Sequence, residues 1–197
     1  MNKQLLITGF EPFGGESINP SWEAVHRLPD NIGSYQLIKI QIPVEYGKAA
    51  QIVAKQAAQY DPDVILCIGQ AGGRKGITPE AVAINLRDTA SPDNAGLLQQ
   101  NVPVIPGGPD AYFATVPVRD MVKAIQAMNI PASLSLSAGA YVCNDVLYTL
   151  LHHFHSTDTK VGFIHVPYLP EQAKEGVPSL PLPDIVNALS AAISAME

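Results

Sequence analysis

Three residues in this sequence have side chains suited to thiol hydrolysis and stand beside apolar runs: Glu80, Cys143 and His165. A thiol nucleophile needs a base to take its proton, and an imidazole base needs a third group to fix its tautomer and stabilise its cation. Cys, His and Glu fill those roles in that order. Residue types and placement alone leave the assignment open, because many unrelated chains carry the same three at strand ends. Cys143 is the pivot. Ser133 to Ser137 alternates Ser-Leu-Ser-Leu-Ser, which predicts a strand, and Ala138 to Ala140 supplies small residues for a tight turn. Beyond Asn144 and Asp145, the spacing of Val146, Leu147, Leu150, Leu151 and Phe154 predicts a helix. The thiol is therefore expected at a helix N-terminus, where the dipole and free N–H groups would lower its pKa and could hold an oxyanion. The alternative is that Cys143 is one more small buried apolar residue.

The elements that would position these groups follow from hydrophobic period. Gln4 to Thr8 reads as a strand ending in the loop Gly9-Phe10-Glu11-Pro12-Phe13-Gly14-Gly15, which could line a pocket. Its glycines fit neither nucleotide fingerprint, and no Gly-Lys-Ser/Thr follows, which argues against a phosphate-dependent transferase. Asn19-Pro20-Ser21 supplies start chemistry for a helix over Trp22 to Leu28, with Asn19 or Ser21 as the cap; Asn19 could equally face the pocket. Leu37 to Ile42 alternates as a strand near a sheet edge. Tyr46 to Tyr60 carries a helical stripe, and Val64 to Ile68 is an apolar strand covered on both faces, with Cys67 in the core. Ala81 to Leu86 predicts a further strand with Glu80 at its entrance, where a carboxylate beside apolar chain needs a partner. Arg87 to Pro109 predicts a long loop or hairpin over the site or at a subunit contact.

Val118 onward predicts a helix with Met121, Val122, Ile125 and Met128 on one face, the methionines as core. Lys160 to Val166 reads as a strand, and Asp184 starts a C-terminal helix. His165 is the only histidine that a strand end could aim at a site. His152, His153 and His155 look like a metal tract, but neighbours on a helix diverge, so a solvated surface is expected. Helices alternating with strands predict an α/β fold, a single-domain α/β/α sandwich over residues 1–197 with a central, mostly parallel twisted sheet and sites at the strands' carboxyl ends.

The whole chain narrows the function classes. Its 197 residues and 47% hydrophobic content suffice for one large core. A formal charge of −6 with no basic cluster gives no electrostatic case for nucleic acid or an anionic membrane. The apolar run Leu5 to Ile7 is too short for a signal peptide, and nothing approaches spanning length. Two cysteines cannot make a disulfide framework and suit a reducing cytoplasm.

Four stretches carry a family resemblance: Thr8 to Gly15; Gly69-Gln70-Ala71-Gly72-Gly73-Arg74 continuing to Asn85; Gly139 to Asn144; and Gly162-Phe163-Ile164-His165-Val166-Pro167. Together they resemble pyroglutamyl peptidase I, also called pyrrolidone carboxyl peptidase. The resemblance implies a cytosolic cysteine peptidase that removes N-terminal 5-oxoproline from peptides without metal or cofactor, commonly as a homodimer or homotetramer. It places the nucleophile at Cys143, the general base and acid at His165, and the orienting carboxylate at Glu80. It also implies a lactam pocket of Phe10, Phe13, Tyr141 and Val142, with Gln70 and Asn19 near the ring's polar groups. The sequence departs from the family in two places. Ala81 replaces a basic residue, and Thr89-Ala90-Ser91-Pro92-Asp93-Asn94 stands for Ala-Arg-Ile-Pro-Asp-Asn, so Ala90 replaces an arginine close to the active site. Arg87, three residues earlier, is a candidate to reach the same space. Loss of that arginine leaves a pocket-bearing lactam binder of weak or no activity as the alternative function.

Overall fold

The structure is a computed structural model that describes residues 3–197; Met1 and Asn2, the start of the stretch searched for an export signal, lie outside the described residues. In chain order the elements are β1 (Lys3–Phe10), α1 (Pro20–Val25), β2 (Asn31–Ile32), β3 (Tyr35–Ile42), α2 (Lys48–Tyr60), β4 (Val64–Gln70), β5 (Thr78–Pro79), β6 (Val82–Ile84), β7 (Ala111–Phe113), α3 (Val118–Ala127), α4 (Val142–Phe154), β8 (Lys160–Val166) and α5 (Leu182–Ser194). Six strands form one sheet in the order β2-β3-β1-β4-β8-β5. β3, β1, β4 and β8 run parallel, while the two-residue strands β2 and β5 pair antiparallel at the edges. The sheet is thus mixed, with a parallel centre. No helix among the described residues is long and apolar enough to cross a membrane.

The two apolar faces of the central strands decide the layers. Leu5, Ile7, Leu66, Ile68 and Ile164 point to the side covered by α1, α3 and α5. Leu6, Ile65, Cys67, Val161 and Phe163 point to the side covered by α2 and α4. Continuous apolar runs follow from burial on both faces. Met121 is fully buried as expected, whereas Met128 ends its helix and is 46% exposed.

Two predicted strands are corrected. Ser133 to Ser137 is not a regular strand: it runs extended beside Ile77 to Ala81 through Ser133 N to Ile77 O (3.1 Å) and Ser135 N to Pro79 O (3.0 Å), and forms only isolated bridges. Its alternating leucines do not mark a buried face, since Leu136 is 71% exposed. Ala81 to Leu86 shortens to Val82–Ile84 and leaves the main sheet to pair with β7. Period two signals extended backbone but not its pairing partner.

Candidate active site

Backbone ladders bring two of the three candidate groups together. β5 pairs with β8 so that Thr78 faces His165 and Pro79 faces Ile164, and the next N–H, that of Glu80, donates to Phe163 O at 2.9 Å. Glu80 therefore stands diagonally from His165 on the α4 side of the sheet, the side that Phe163 also faces. His165 Nδ1 lies 2.7 Å from Glu80 Oε1. An ionised carboxylate only accepts, so Nδ1 carries the proton and Nε2 is the free basic nitrogen.

Gly69 admits the thiol to this group. It is the register partner of His165 across β4 and β8, and a Cβ added to it would come 2.7 Å from the Phe163 ring and 3.0 Å from Cys143 Sγ. Cys143 sits in the first turn of α4, behind Tyr141 as the N-cap, whose side chain makes no cap hydrogen bond. The sequence-derived placement at a helix N-terminus is what the structure has. The charge expectation is not. Burial pushes the Cys143 thiol up to about 12, and the neighbouring Glu80 carboxylate adds to that rise. The thiol, partly buried, is thereby held toward its neutral form despite the helix dipole.

The other two groups are held in complementary states. Burial pushes the Glu80 carboxyl up, but hydrogen bonding and charge from His165, with Arg74 behind it, overcome that effect and leave it below its ordinary value. Burial lowers His165, against the opposing pull of Glu80. At neutral pH these shifts favour the neutral form of both the imidazole and the thiol.

Arg74, quoted within a sequence motif but given no role there, contacts the Glu80–His165 pair. Its guanidinium donates to Glu80 Oε1 at 2.6 Å, to Ser137 O at 3.0 Å and to Thr78 Oγ1. The demand that buried Glu80 have a partner was legible; the partner, six residues earlier across a glycine loop, was not.

The predicted pocket residues fall into two groups. Phe13 and Tyr141 are half-buried with ring centroids 6.5 Å apart, and both pack in the cluster that includes Cys143. Phe10 and Val142 are buried beneath them, Phe10 against Phe163. Gln70 ends β4, its Oε1 3.4 Å from Gln172 Nε2. Asn19, not Ser21, caps α1: its Oδ1 accepts from Ser21 N at 3.0 Å and its Nδ2 donates to Glu11 O at 3.0 Å. Its amide is thus engaged in tying the pocket loop to the helix.

Arg87 does not extend freely into the site. It binds Asp145 Oδ1 through Nε at 2.6 Å and through its terminal nitrogen at 2.5 Å, and lies 5.5 Å from the Tyr46 ring centroid. Asp145 Oδ2 also accepts from Gly47 N at 2.8 Å. Asn144 binds Ile84 N and O and Leu86 O. Asn144 and Asp145, read from sequence as helix-start types, stand in the first turn of α4 and also tie that turn to β6, the chain after it and Gly47. Among the described residues no group of three or more His, Cys, Asp or Glu is placed to hold a metal ion; His152 instead bonds the Tyr112 hydroxyl at 2.8 Å.

Comparison with known proteins agrees with this geometry. The sequence model of the family described as pyroglutamyl peptidase matches residues 3–197. The chain is 50% identical to a pyrrolidone-carboxylate peptidase of Thermococcus onnurineus, with 94% of each chain covered. It is 49% identical to one from Escherichia fergusonii over 97% of this chain and 91% of that one. The crystal structure of Bacillus amyloliquefaciens pyroglutamyl peptidase I superposes with a TM-score of 0.95 at 41% identity, covering 98% of this chain and 96% of that one. With a buried Glu–His pair, a thiol at a helix start and near full-length likeness, the chain belongs to the pyroglutamyl peptidase family.

Proposed function

We propose that this family member is a pyroglutamyl-peptidase I, a thiol hydrolase that cleaves the amide after an N-terminal pyroglutamyl residue of a peptide. The observation that carries the reading is the order Arg74, Glu80, His165, with the Cys143 thiol over Gly69 beside the imidazole. His165 Nε2 takes the thiol proton as sulfur bonds to the pyroglutamyl carbonyl carbon. The uncapped first turn of α4 offers N–H donors to the oxyanion. The C–N bond then breaks as His165 returns the proton to the leaving amine. Water, deprotonated by His165, attacks the thioester, and the departing sulfur recovers the proton to release pyroglutamate. Glu80 keeps Nδ1–H oriented and stabilises the imidazolium in each half-reaction.

Phe13, Tyr141 and Gln70 are read as the groups that meet the lactam, with Phe10 and Val142 backing them and Asn19 fixing the loop. A neutral lactam suits such walls, whereas a free N-terminal ammonium would lose its hydration without a counter-charge. The described chain is read as one peptidase domain because both core clusters share one sheet. Two free cysteines support a cytoplasmic setting, and the outward Ile84 and Phe113 of the β6–β7 ribbon, 36% and 76% exposed, support a homodimer or homotetramer.

The test is release of a fluorescent amine from a pyroglutamyl amide under reducing conditions, with wild type and Cys143→Ala in parallel. Release by the wild type alone is expected. No release by either protein, with pyroglutamate still bound, would instead mark a lactam-binding protein without turnover, the reading that Ala90 in place of the family arginine favours.

A further inference from the structure

We propose that the cavity walled by Phe13 and Tyr141 admits N-terminal acyl groups larger than the five-membered lactam, so that six-membered lactam amides are also substrates of Cys143; this rests on the peptidase reading above. The cavity has a volume of about 350 Å³ and is bounded by Phe13, Gly14, Thr89, Ala90, Ser91 and Tyr141 among others. A close-packed pyroglutamyl group fills only on the order of 100–150 Å³. The surplus lies where side chains are short. Ala90 and Ser91, both exposed, line it, and Gly14 stands at its open rim.

The lining also says what kind of bulk would fit. Tyr141 donates its hydroxyl to Pro92 O at 2.9 Å, Thr89 Oγ1 donates to Ser91 O at 2.9 Å, and Asn94 Nδ2 donates to Glu11 Oε1 and Pro12 O, both at 3.0 Å. These groups are engaged with the protein itself, so added polarity in a ligand finds few of them free while added methylene finds aromatic and small apolar walls. The position is right for an acyl group: Tyr141 caps the helix that carries Cys143, and Phe13, Tyr141 and Cys143 share one packed cluster. The chemistry is unchanged, with the same acyl C–N bond broken, the same proton returned to the amine and water completing the hydrolysis.

The experiment compares amides of one fluorescent amine with the five-membered and six-membered lactam carboxylic acids, using wild type and Ala90→Leu. Wild type is expected to cleave the six-membered amide with kcat/KM within about tenfold of the five-membered one, and Ala90→Leu to lower the six-to-five ratio by about tenfold or more. Cleavage of only the five-membered amide by wild type, or an unchanged ratio in Ala90→Leu, overturns the proposal. Should wild type cleave neither, the peptidase reading fails separately, and calorimetry of the two free lactam acids with Cys143→Ala decides the cavity. Equal or tighter binding of the larger ring supports the proposal, and its failure to bind overturns it.

Discussion

The two sides of the site are built by different means. The Glu80–His165 side stands on paired backbone: β5 against β8, β8 against β4, with Glu80 wholly buried and His165 only 4% exposed. The pocket side is loop, and polar side chains hold it. Arg87 and Asn144 tie it to α4, Asp93 Oδ2 accepts from Tyr46 N at 2.9 Å, and Tyr141 binds Pro92 O. Ladder hydrogen bonds fix relative positions along several residues at once, which suits proton transfer over fractions of an ångström. Side-chain ties leave a loop free to vary in sequence while keeping its path, which suits specificity.

The largest expected break of this contrast is on the ladder side. Glu80→Gln keeps the shape but removes the charge that orients Nδ1–H, so kcat should fall by about three orders of magnitude with the fold retained by circular dichroism. A fall below tenfold would remove Glu80 from its role. Gly69→Ala should cost about 10²-fold in kcat/KM, because the new methyl would contact Phe163 and the thiol. Full activity in that variant would mean the thiol does not work from its place above the sheet.

On the loop side stability should suffer before chemistry does. Arg87→Ala leaves the buried Asp145 carboxylate without its cation and should cost about 3 kcal/mol in denaturant unfolding, with Arg87→Ala/Asp145→Asn recovering part of that loss. No recovery would show that Arg87 contributes by packing rather than by charge. Tyr141→Phe, which loses one hydrogen bond at a half-buried position, should cost only about 1 kcal/mol.

pH sharpens the same comparison. His165 and Glu80 have folded-state pKa values below their ordinary ones, so the unfolded chain binds more protons than the folded one as pH falls through that range. Their stabilising contribution is present above the unfolded values, near 6.5 for His165, and is lost as pH falls toward the folded ones. Unfolding free energy should therefore drop on acidification below that point, and less so in His165→Gln. The raised thiol acts on the opposite limb. Alkylation of resting Cys143 by iodoacetamide should still be accelerating well above neutral pH, whereas a plateau near neutrality would reveal a thiolate–imidazolium pair.

Much of this was legible in the chain. Apolar period located the central strands β1, β3, β4 and β8 and the helices α2, α4 and α5, because burial on one or two faces imposes a repeat on the residues themselves. It also placed Cys143 at a helix start and His165 near a strand end. Family likeness in four short stretches suggested the roles. The extended run at Ser133 to Ser137 was misread because alternation records backbone shape and not the partner strand. Arg74 and Asp145 escaped because each acts through a contact with a residue distant in sequence or across a loop, and no local pattern marks such a contact.

The sequence by itself determined the layers of the fold and put forward three candidate groups, Glu80, Cys143 and His165. Only the tertiary structure decided their charge states and the size of the pocket, since desolvation and free volume depend on what packs around a group. It favours the neutral form of the thiol near Gly69, commits Arg87 to Asp145, and leaves a cavity of about 350 Å³ beside Ala90.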